Sequence, residues 1–272
     1  MEYLADLHSH STASDGQYRP GELVRLAKEA GIQVLALTDH DNLDGTEEAL
    51  AAGEALGLTV LRGVELGAAE DRHLHILGLG LRGGDSPLSR LCDKMKQGRE
   101  ERKYRIVDFL AEKGVPVPLG EVEALAKNGL VARPHFARVL LSHGYVSSVR
   151  EAFDKYLDTD EYQKIERFKA PARDCIDAIH SAGGKAVLAH PYQLGLEDGE
   201  LERLLSYLKD WGLDGLECHY PRHSPRQLRD YLALAKHFGL QVTAGSDFHG
   251  EAVRPENPLR PVSLELDWLL GG

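Results

Sequence analysis

At 272 residues, with 42% hydrophobic and 28% charged side chains, the chain is long enough for one large α/β domain with an insertion or for two smaller domains, and its composition excludes disordered and collagen-like classes. A formal net charge of −11 argues against a broad nucleic-acid-binding surface, although divalent cations gathered at one point would reverse the local field and admit a small phosphorylated ligand. Three cysteines (Cys92, Cys175, Cys218) form no Cys-x-x-Cys pair, no apolar stretch is long enough to span a membrane and no secretion signal is visible, so a reducing cytoplasm is the expected compartment.

The first stretch ends an apolar run with Asp6-Leu7-His8-Ser9-His10, and Asp15-Gly16 follows. Alternate side chains of an extended segment share a face, so His8 and His10 can present two imidazoles to one cation. Residues 20–30 repeat apolar positions at helical spacing behind Pro20, and Gly31 stops them. An apolar run over residues 32–37 leads into Thr38-Asp39-His40-Asp41, and Thr46–Leu56 reads as a helix closed by Gly57. Residues 58–66 read as a strand with Glu65 near its end, and residues 73–79 as another bearing His73 and His75, either of which is a possible ligand.

From about Ser86 the pattern becomes helical, with a long polar helix over 88–113 and short ones over 121–127, 134–142 and 149–156. The basic run from Lys94 to Arg105 reads as a solvated helix face. Alternation then resumes: helix 172–182, strand 185–189 ending at His190, helix 201–211, strand 213–218, helix 227–238, and strand 240–244 delivering Asp247 and His249. Strands alternating with helices predict parallel pairing and right-handed crossovers, in a barrel or a doubly wound sheet. The tail with Pro255, Pro258 and Pro261 is expected to wrap the outside. Imidazole and carboxylate clusters thus recur at strand ends, where a barrel would gather them on one rim as ligands for borderline or hard cations.

Taken together, Asp6-Leu7-His8-Ser9-His10 with Ser14-Asp15-Gly16, Thr38-Asp39-His40-Asp41, His75-Ile76-Leu77-Gly78, Ala189-His190-Pro191 and Gly245-Ser246-Asp247-Phe248-His249-Gly250 resemble the successive signatures of the PHP family of metal-dependent phosphoesterases, named for polymerase and histidinol phosphatase. Ala132-Arg133-Pro134-His135-Phe136-Ala137-Arg138 and Phe153-Asp154-Lys155-Tyr156-Leu157 are similar to motifs of the branch that hydrolyses nucleoside 3′,5′-bisphosphates and trims short RNA from its 5′ end. The following Asp158-Thr159-Asp160-Glu161-Tyr162 is more acidic than that branch's pattern.

The resemblance implies a distorted (β/α)7 TIM-like PHP barrel, α/β in class, built from residues 1–85 and 167–272, with an all-helical insertion over 86–166 as a substrate cap. It implies that His8, His10, Glu65 and Asp247 hold one ion, that Glu65 bridges to a second held with His75 and His190, and that Asp15, His40 and His249 complete a third. Two or three divalent ions, manganese foremost with zinc or iron admissible, would activate bound water as a bridging hydroxide and neutralise phosphoryl charge. Arg133 would grip phosphate oxygens, and His135 would contact phosphate or protonate the leaving oxygen. Arg138 would support Arg133 or face water, His219 and His223 would reach substrate or simply pack, and Asp39 and Asp41 would orient imidazoles. The expected reaction removes the 3′-phosphate of a nucleoside 3′,5′-bisphosphate, as in adenosine 3′,5′-bisphosphate to AMP. Alternatives are 5′–3′ exonucleolytic trimming of short RNA, hydrolysis of a small phosphomonoester such as histidinol phosphate, metal-dependent amide or lactone hydrolysis, and a non-enzymatic metal-binding module. The expected partners are a small phosphorylated nucleotide and, in the second reading, short RNA, with no membrane and no protein partner.

Overall fold

The computed structural model describes residues 1–126 and 131–271, so Lys127, at the expected end of a short helix, lies outside the described residues. The chain begins β1 (Glu2–Asp6), α1 (Pro20–Glu29), β2 (Val34–Leu37), α2 (Thr46–Leu56), β3 (Thr59–Gly67) and β4 (His75–Leu79). Proline opens α1, the Glu22 carboxylate accepts the Arg19 N–H at 3.0 Å, and Leu23, Val24 and Ala27 turn onto the sheet. β2 is buried at all four positions, as a parallel strand covered on both faces must be.

A helical stretch follows: α3 (Pro87–Glu112), α4 (Leu119–Ala126), α5 (Arg133–Ser142), α6 (Val149–Ala152) running into a π-turn at Phe153–Leu157, and α7 (Asp160–Gln163). The expected helix over 149–156 is therefore split: its second half closes a wider loop, with Asp158 N donating to Phe153 O at 2.9 Å. Ile106, Leu110, Phe136, Leu140 and Tyr162 belong to an apolar cluster confined to this stretch, whereas Leu88, Cys92 and Met95 at the start of α3 pack with Ile176, Ile179 and Leu188. α3 therefore has one end in each core.

The remaining elements are α8 (Ala172–Ser181), β5 (Lys185–Leu188), α9 (Asp198–Asp210), β6 (Gly215–His219), α10 (Pro225–Phe238), β7 (Gln241–Ala244), β8 (Val262–Glu265) and α11 (Asp267–Leu270). The sheet runs β7-β6-β5-β4-β3-β2-β1-β8. β4 lies antiparallel to both β3 and β5, a departure from uniform parallel pairing that follows from the absence of a crossover helix between β3 and β4. The two ends of the sheet meet beyond the regular strands: Leu7 N donates to Ala244 O at 2.9 Å, Asp247 N to His8 O at 2.8 Å and His10 N to Phe248 O at 2.9 Å. These bonds nearly close β1–β7 into the expected barrel, with the helices outside. The tail does not merely wrap the surface; β8 adds antiparallel to β1, a strand hidden from the sequence by its four-residue length and the prolines before it. No helix among the described residues is long and apolar enough to cross a membrane.

The basic run on α3 is not a uniformly solvated face. The Arg99 guanidinium reaches Asp41 at the end of β2 (Nε to Oδ2 2.7 Å), and Arg167 joins the same oxygen at 2.9 Å, while Asp41 Oδ1 accepts the Gly67 N–H at 3.0 Å. Burial opposes ionisation of Asp41, but the Arg167 and Arg99 charges outweigh it and hold the carboxyl well below the usual range. A depressed acid contributes stability that is complete above its unfolded value near pH 4 and is lost as pH falls through the folded one. Asp41→Asn should therefore destabilise the protein by about 3–5 kcal/mol at pH 7, because it strands buried guanidinium charge. Urea titrations of both proteins from pH 7 to pH 3 check this: the gap should narrow below about pH 4, and a pH-independent gap would refute the ion-pair account.

Candidate metal centre

One rim of the barrel, made by the C-terminal ends of the parallel strands and the N-terminal end of antiparallel β4, brings the nine proposed ligands together. His8 and His10 continue β1 in extended form, His40 follows β2, Glu65 lies within β3, His75 opens β4, His190 follows β5, and Asp247 and His249 follow β7. Gly245 permits this closure, since a Cβ there would come within 2.2 Å of His8 Cβ and of Glu217 Oε1. Asp41, His190 and Asp247 are non-glycine residues with positive φ (51°, 26° and 53°), all on this rim. Each such conformation costs on the order of 1–3 kcal/mol and persists only where the surroundings over-determine it.

Glu65, fully buried, is the hub. Its Oε1 lies 2.6 Å from His75 Nδ1 and 2.9 Å from His190 Nε2; its Oε2 lies 2.9 Å from His40 Nδ1, 3.2 Å from His10 Nε2 and 3.3 Å from His8 Nε2. Asp247 Oδ1 stands 3.2 Å from His10 Nε2 and 3.6 Å from His8 Nε2, and Asp15 Oδ1 lies 3.2 Å from His249 Nε2. Three ligand groupings result: His8, His10, Glu65, Asp247; His10, Asp15, His40, His249; and His40, Glu65, His75. The first matches the expected set. The second is the expected Asp15, His40 and His249 with His10 added, and in the third His40 takes the place expected of His190, which reaches the group through its bond to Glu65.

The donor atoms fit divalent cations. His8 Nε2, both nitrogens of His10, Glu65 Oε2, His190 Nδ1 and His249 Nε2 are buried without a hydrogen-bond partner, a costly arrangement unless something else takes their lone pairs. Nitrogen and carboxylate oxygen together suit borderline and hard ions, and the buried thiols of Cys92, Cys175 and Cys218 stand outside all three groupings. Burial disfavours the His8 and His10 cations, yet the surrounding carboxylates outweigh it, so His8 is held well above the ordinary imidazole range and His10 is raised to about 9. Burial likewise opposes the charged forms of Glu65 and Asp247, but imidazoles around Glu65, and Arg254 with His249 around Asp247, keep both carboxyls well below their usual values. Burial wins at His75, which falls to about 3, and at His249, which falls to about 4.

Asp39 and Asp41 bond no imidazole among the described residues. Asp39 accepts Ser11 N at 2.8 Å and Ser11 Oγ at 2.7 Å, shaping the loop that carries Asp15, while Asp41 holds the arginines. The imidazole-orienting role falls instead to Glu217, which sequence reasoning passed over. Its Oε1 lies 3.1 Å from His8 Nδ1 and its Oε2 accepts His190 N–H at 2.6 Å, so His8 presents Nε2 to the centre. A signal existed: Glu217 is an acid within an otherwise apolar strand core.

The proposed substrate residues spread more widely. His135 is buried at the first turn of α5 and its Nδ1 accepts Ala132 N–H at 3.0 Å, leaving Nε2 to carry a proton; burial lowers its pKa, which favours the neutral ring. Arg133 pairs with Asp158 Oδ1 at 3.2 Å, a carboxylate also taken by Arg72 at 2.8 Å, and Arg138 is exposed. His219 and His223 stand beside the cluster, lining a cavity of about 230 Å³ with Tyr220 and Arg260, and His223 Nδ1 bonds Cys218 O at 2.8 Å. His73 precedes β4, and it is His75 that reaches Glu65.

Two outcomes follow for protein stripped of metal with a chelator. Manganese binding should expel protons from His8 and His10, so apparent affinity should rise with pH up to about 9, and the calorimetric enthalpy should vary with the buffer's ionisation heat. An enthalpy independent of buffer would contradict it. Glu217→Gln should weaken manganese binding about 10- to 100-fold without unfolding the barrel, as titration and circular dichroism would show.

The PHP domain sequence pattern matches residues 6–181. The chain is 38% identical over 245 residues to a 5′-3′ exoribonuclease of Haemophilus influenzae, covering 90% of this chain and 89% of that protein. It is 34% identical over 246 residues to a 3′,5′-nucleoside bisphosphate phosphatase of Chromobacterium violaceum, covering 90% and 86%. A solved structure of an amidohydrolase from Chromobacterium violaceum, with bound sulfate and no metal, superposes with a TM-score of 0.87 at 32% identity over 96% of this chain and 92% of that one. The chain therefore belongs to the PHP domain family and is a hydrolytic phosphoesterase.

Proposed function

We propose that the protein removes the 3′-phosphate of a nucleoside 3′,5′-bisphosphate, with two or three divalent cations, manganese foremost, held by the nine rim residues. The observation that carries this reading is a second charged region beside the first. Arg99, Arg102, Arg133 and Arg167 gather around Tyr162, whose buried hydroxyl has no hydrogen-bond partner. A Cβ on Gly67 would lie 3.2 Å from Arg167 Nη2 and 3.8 Å from the His75 ring, so guanidinium and imidazole flank the same spot. A substrate with two phosphates can place one at the cluster and the other among arginines. The sulfate in the Chromobacterium violaceum structure accords with anion binding in this fold.

When bound, the cations supply activated water and neutralise developing phosphoryl charge. The chain's residues do the positioning. Glu217 fixes His8 with Nε2 facing inward, His135 offers an Nε2–H as a hydrogen-bond donor, and Arg133 exchanges Asp158 for phosphate oxygens through its planar fork. Residues 86–166 act as the cap that selects substrate, because α5 brings Arg133 and His135 and α3 brings Arg99. A second reading, 5′-end trimming of short RNA, is favoured by the 38% identity to the Haemophilus influenzae exoribonuclease, and the same arginines would then take backbone phosphates.

Manganese-loaded protein should convert adenosine 3′,5′-bisphosphate to AMP with a higher kcat/KM than it shows for 5′-phosphorylated oligoribonucleotides or histidinol phosphate. His190→Ala should abolish turnover with the fold intact, and Arg133→Ala should lower kcat/KM for the bisphosphate about 10- to 100-fold, the loss of one charged hydrogen bond. Preference for the oligonucleotide would establish the second reading. An Arg133→Ala protein with unchanged kcat and KM would remove that residue from the substrate site.

A further inference from the structure

Asp247 presents Oδ1 to His8, His10 and His249 and turns Oδ2 away, toward Tyr220 and Arg254. Tyr220 suffices to hold that oxygen. Its hydroxyl accepts from Asn257 Nδ2 at 2.9 Å and from Gln193 Nε2 at 3.3 Å, so its own proton is committed to Asp247 Oδ2 at 2.9 Å. The Arg254 Nη1 contact is thus a second tie on an oxygen that Tyr220 already holds.

The guanidinium also lies within the field of the centre. Arg254 adjoins the centre closely enough for Asp15 and Glu65, as well as Asp247, to favour its charged form. Divalent cations in the cluster would draw on the same carboxylates, and an anion arriving with the substrate would then supply Arg254 with counter-charge. Of the five N–H donors on Arg254, the Asp247 contact engages one; the others find no protein partner among the described residues, and 35% of the side chain is exposed.

The loop that carries Arg254 is held rigidly. Gly250 sits at φ +98° so tightly against Gln17 that a Cβ would come within 2.3 Å of Gln17 Cβ. Ala252 N donates to Gln17 Oε1 at 2.8 Å, Arg254 N to Gly250 O at 2.8 Å and Asn257 N to Arg254 O at 3.2 Å. A preset donor of this kind needs no rearrangement when charge develops in front of it.

We propose that Arg254 is a catalytic residue that binds the phosphoryl group being hydrolysed, while Tyr220 holds Asp247 in place. The proposal rests on phosphoester hydrolysis at the rim cluster and is independent of which phosphomonoester is the natural one. Arg254 is distinct in origin from the arginines of the helical stretch: it comes from the loop after β7 and serves the reacting phosphate rather than a second one.

The test compares Arg254→Met, Arg254→Lys and Tyr220→Phe with the wild-type protein. Three quantities are measured: manganese affinity of chelator-stripped protein, affinity of the manganese-loaded protein for inorganic phosphate, and kcat and KM on adenosine 3′,5′-bisphosphate. Arg254→Met should leave manganese affinity within about threefold of wild type, weaken phosphate binding at least about tenfold, and lower kcat about 10²- to 10³-fold. Arg254→Lys should recover part of both losses. Tyr220→Phe should instead weaken manganese binding about 10- to 100-fold. The proposal is overturned if Arg254→Met loses manganese affinity as far as Tyr220→Phe and regains turnover at saturating manganese, which would make Arg254 only a positioning residue, or if its phosphate affinity is unchanged. Should the wild-type protein hydrolyse no phosphomonoester, the proposed function fails, and the phosphate-affinity comparison still decides the role of Arg254.

Discussion

One buried carboxylate organises the molecule. Glu65 has five imidazoles, those of His8, His10, His40, His75 and His190, within 3.3 Å of its two oxygens, and they come from or directly follow β1, β2, β4 and β5. An isolated carboxylate at that depth would carry a desolvation penalty of several kcal/mol, so its burial is tolerable only when the barrel is closed and the rim complete. The barrel's closure and the site's assembly are therefore one event. The backbone bonds from Leu7 to Ala244 and from Asp247 to His8 belong to the same requirement, for they bring the first and last ligand-bearing segments side by side.

Around this hub, several charged groups have a counterpart one layer out. Glu217 answers His8, Asp41 answers Arg99 and Arg167, and Tyr220 answers Asp247. These partners hold the ligand-bearing loops while keeping the inward-facing atoms free. The positive φ values of Asp41, His190 and Asp247 fit this view, since each marks a point where a strand must turn abruptly to aim a side chain across the rim. Strain concentrated there, in surroundings that over-determine it, is the structural cost of a centre that is set before substrate arrives.

Much of this was legible in the chain because it follows short-range rules. Alternation puts His8 and His10 on one face, and apolar runs ending in Asp39-His40-Asp41, His190 and Asp247 mark the rim. What escaped depends on long-range pairing. β8 is four residues long behind three prolines and exists only because β1 offers it an edge. Glu217 carries no local motif, and the histidine it orients, His8, lies 209 positions away. Arg99 looked like one more cation on a solvated helix, and its inward direction is set by where Asp41 lies across the fold.

The same sorting of charge reconciles a net charge of −11 with a small phosphorylated substrate. What governs binding is the field at the mouth of the site, not the total. There the cations outnumber their partners: burial, reinforced by Arg99, lowers Arg167 to about 10, and burial, reinforced by Arg167, lowers Lys169 to about 8. Groups that depress one another's basicity are groups short of counter-charge, and a phosphate would supply it. Asp158 is the local opponent, since Arg72 and Arg133 share it at 2.8 and 3.2 Å. It lies in the acidic stretch where the sequence departs from the pattern of the bisphosphate-hydrolysing branch, so that departure bears on how readily Arg133 is released to substrate. A single carboxylate divided between two guanidiniums is a weak competitor for a phosphate dianion, which can engage both forks at once with greater charge. The acidic stretch therefore bears on the Arg72 and Arg133 guanidiniums and stands apart from Glu65 and its imidazoles.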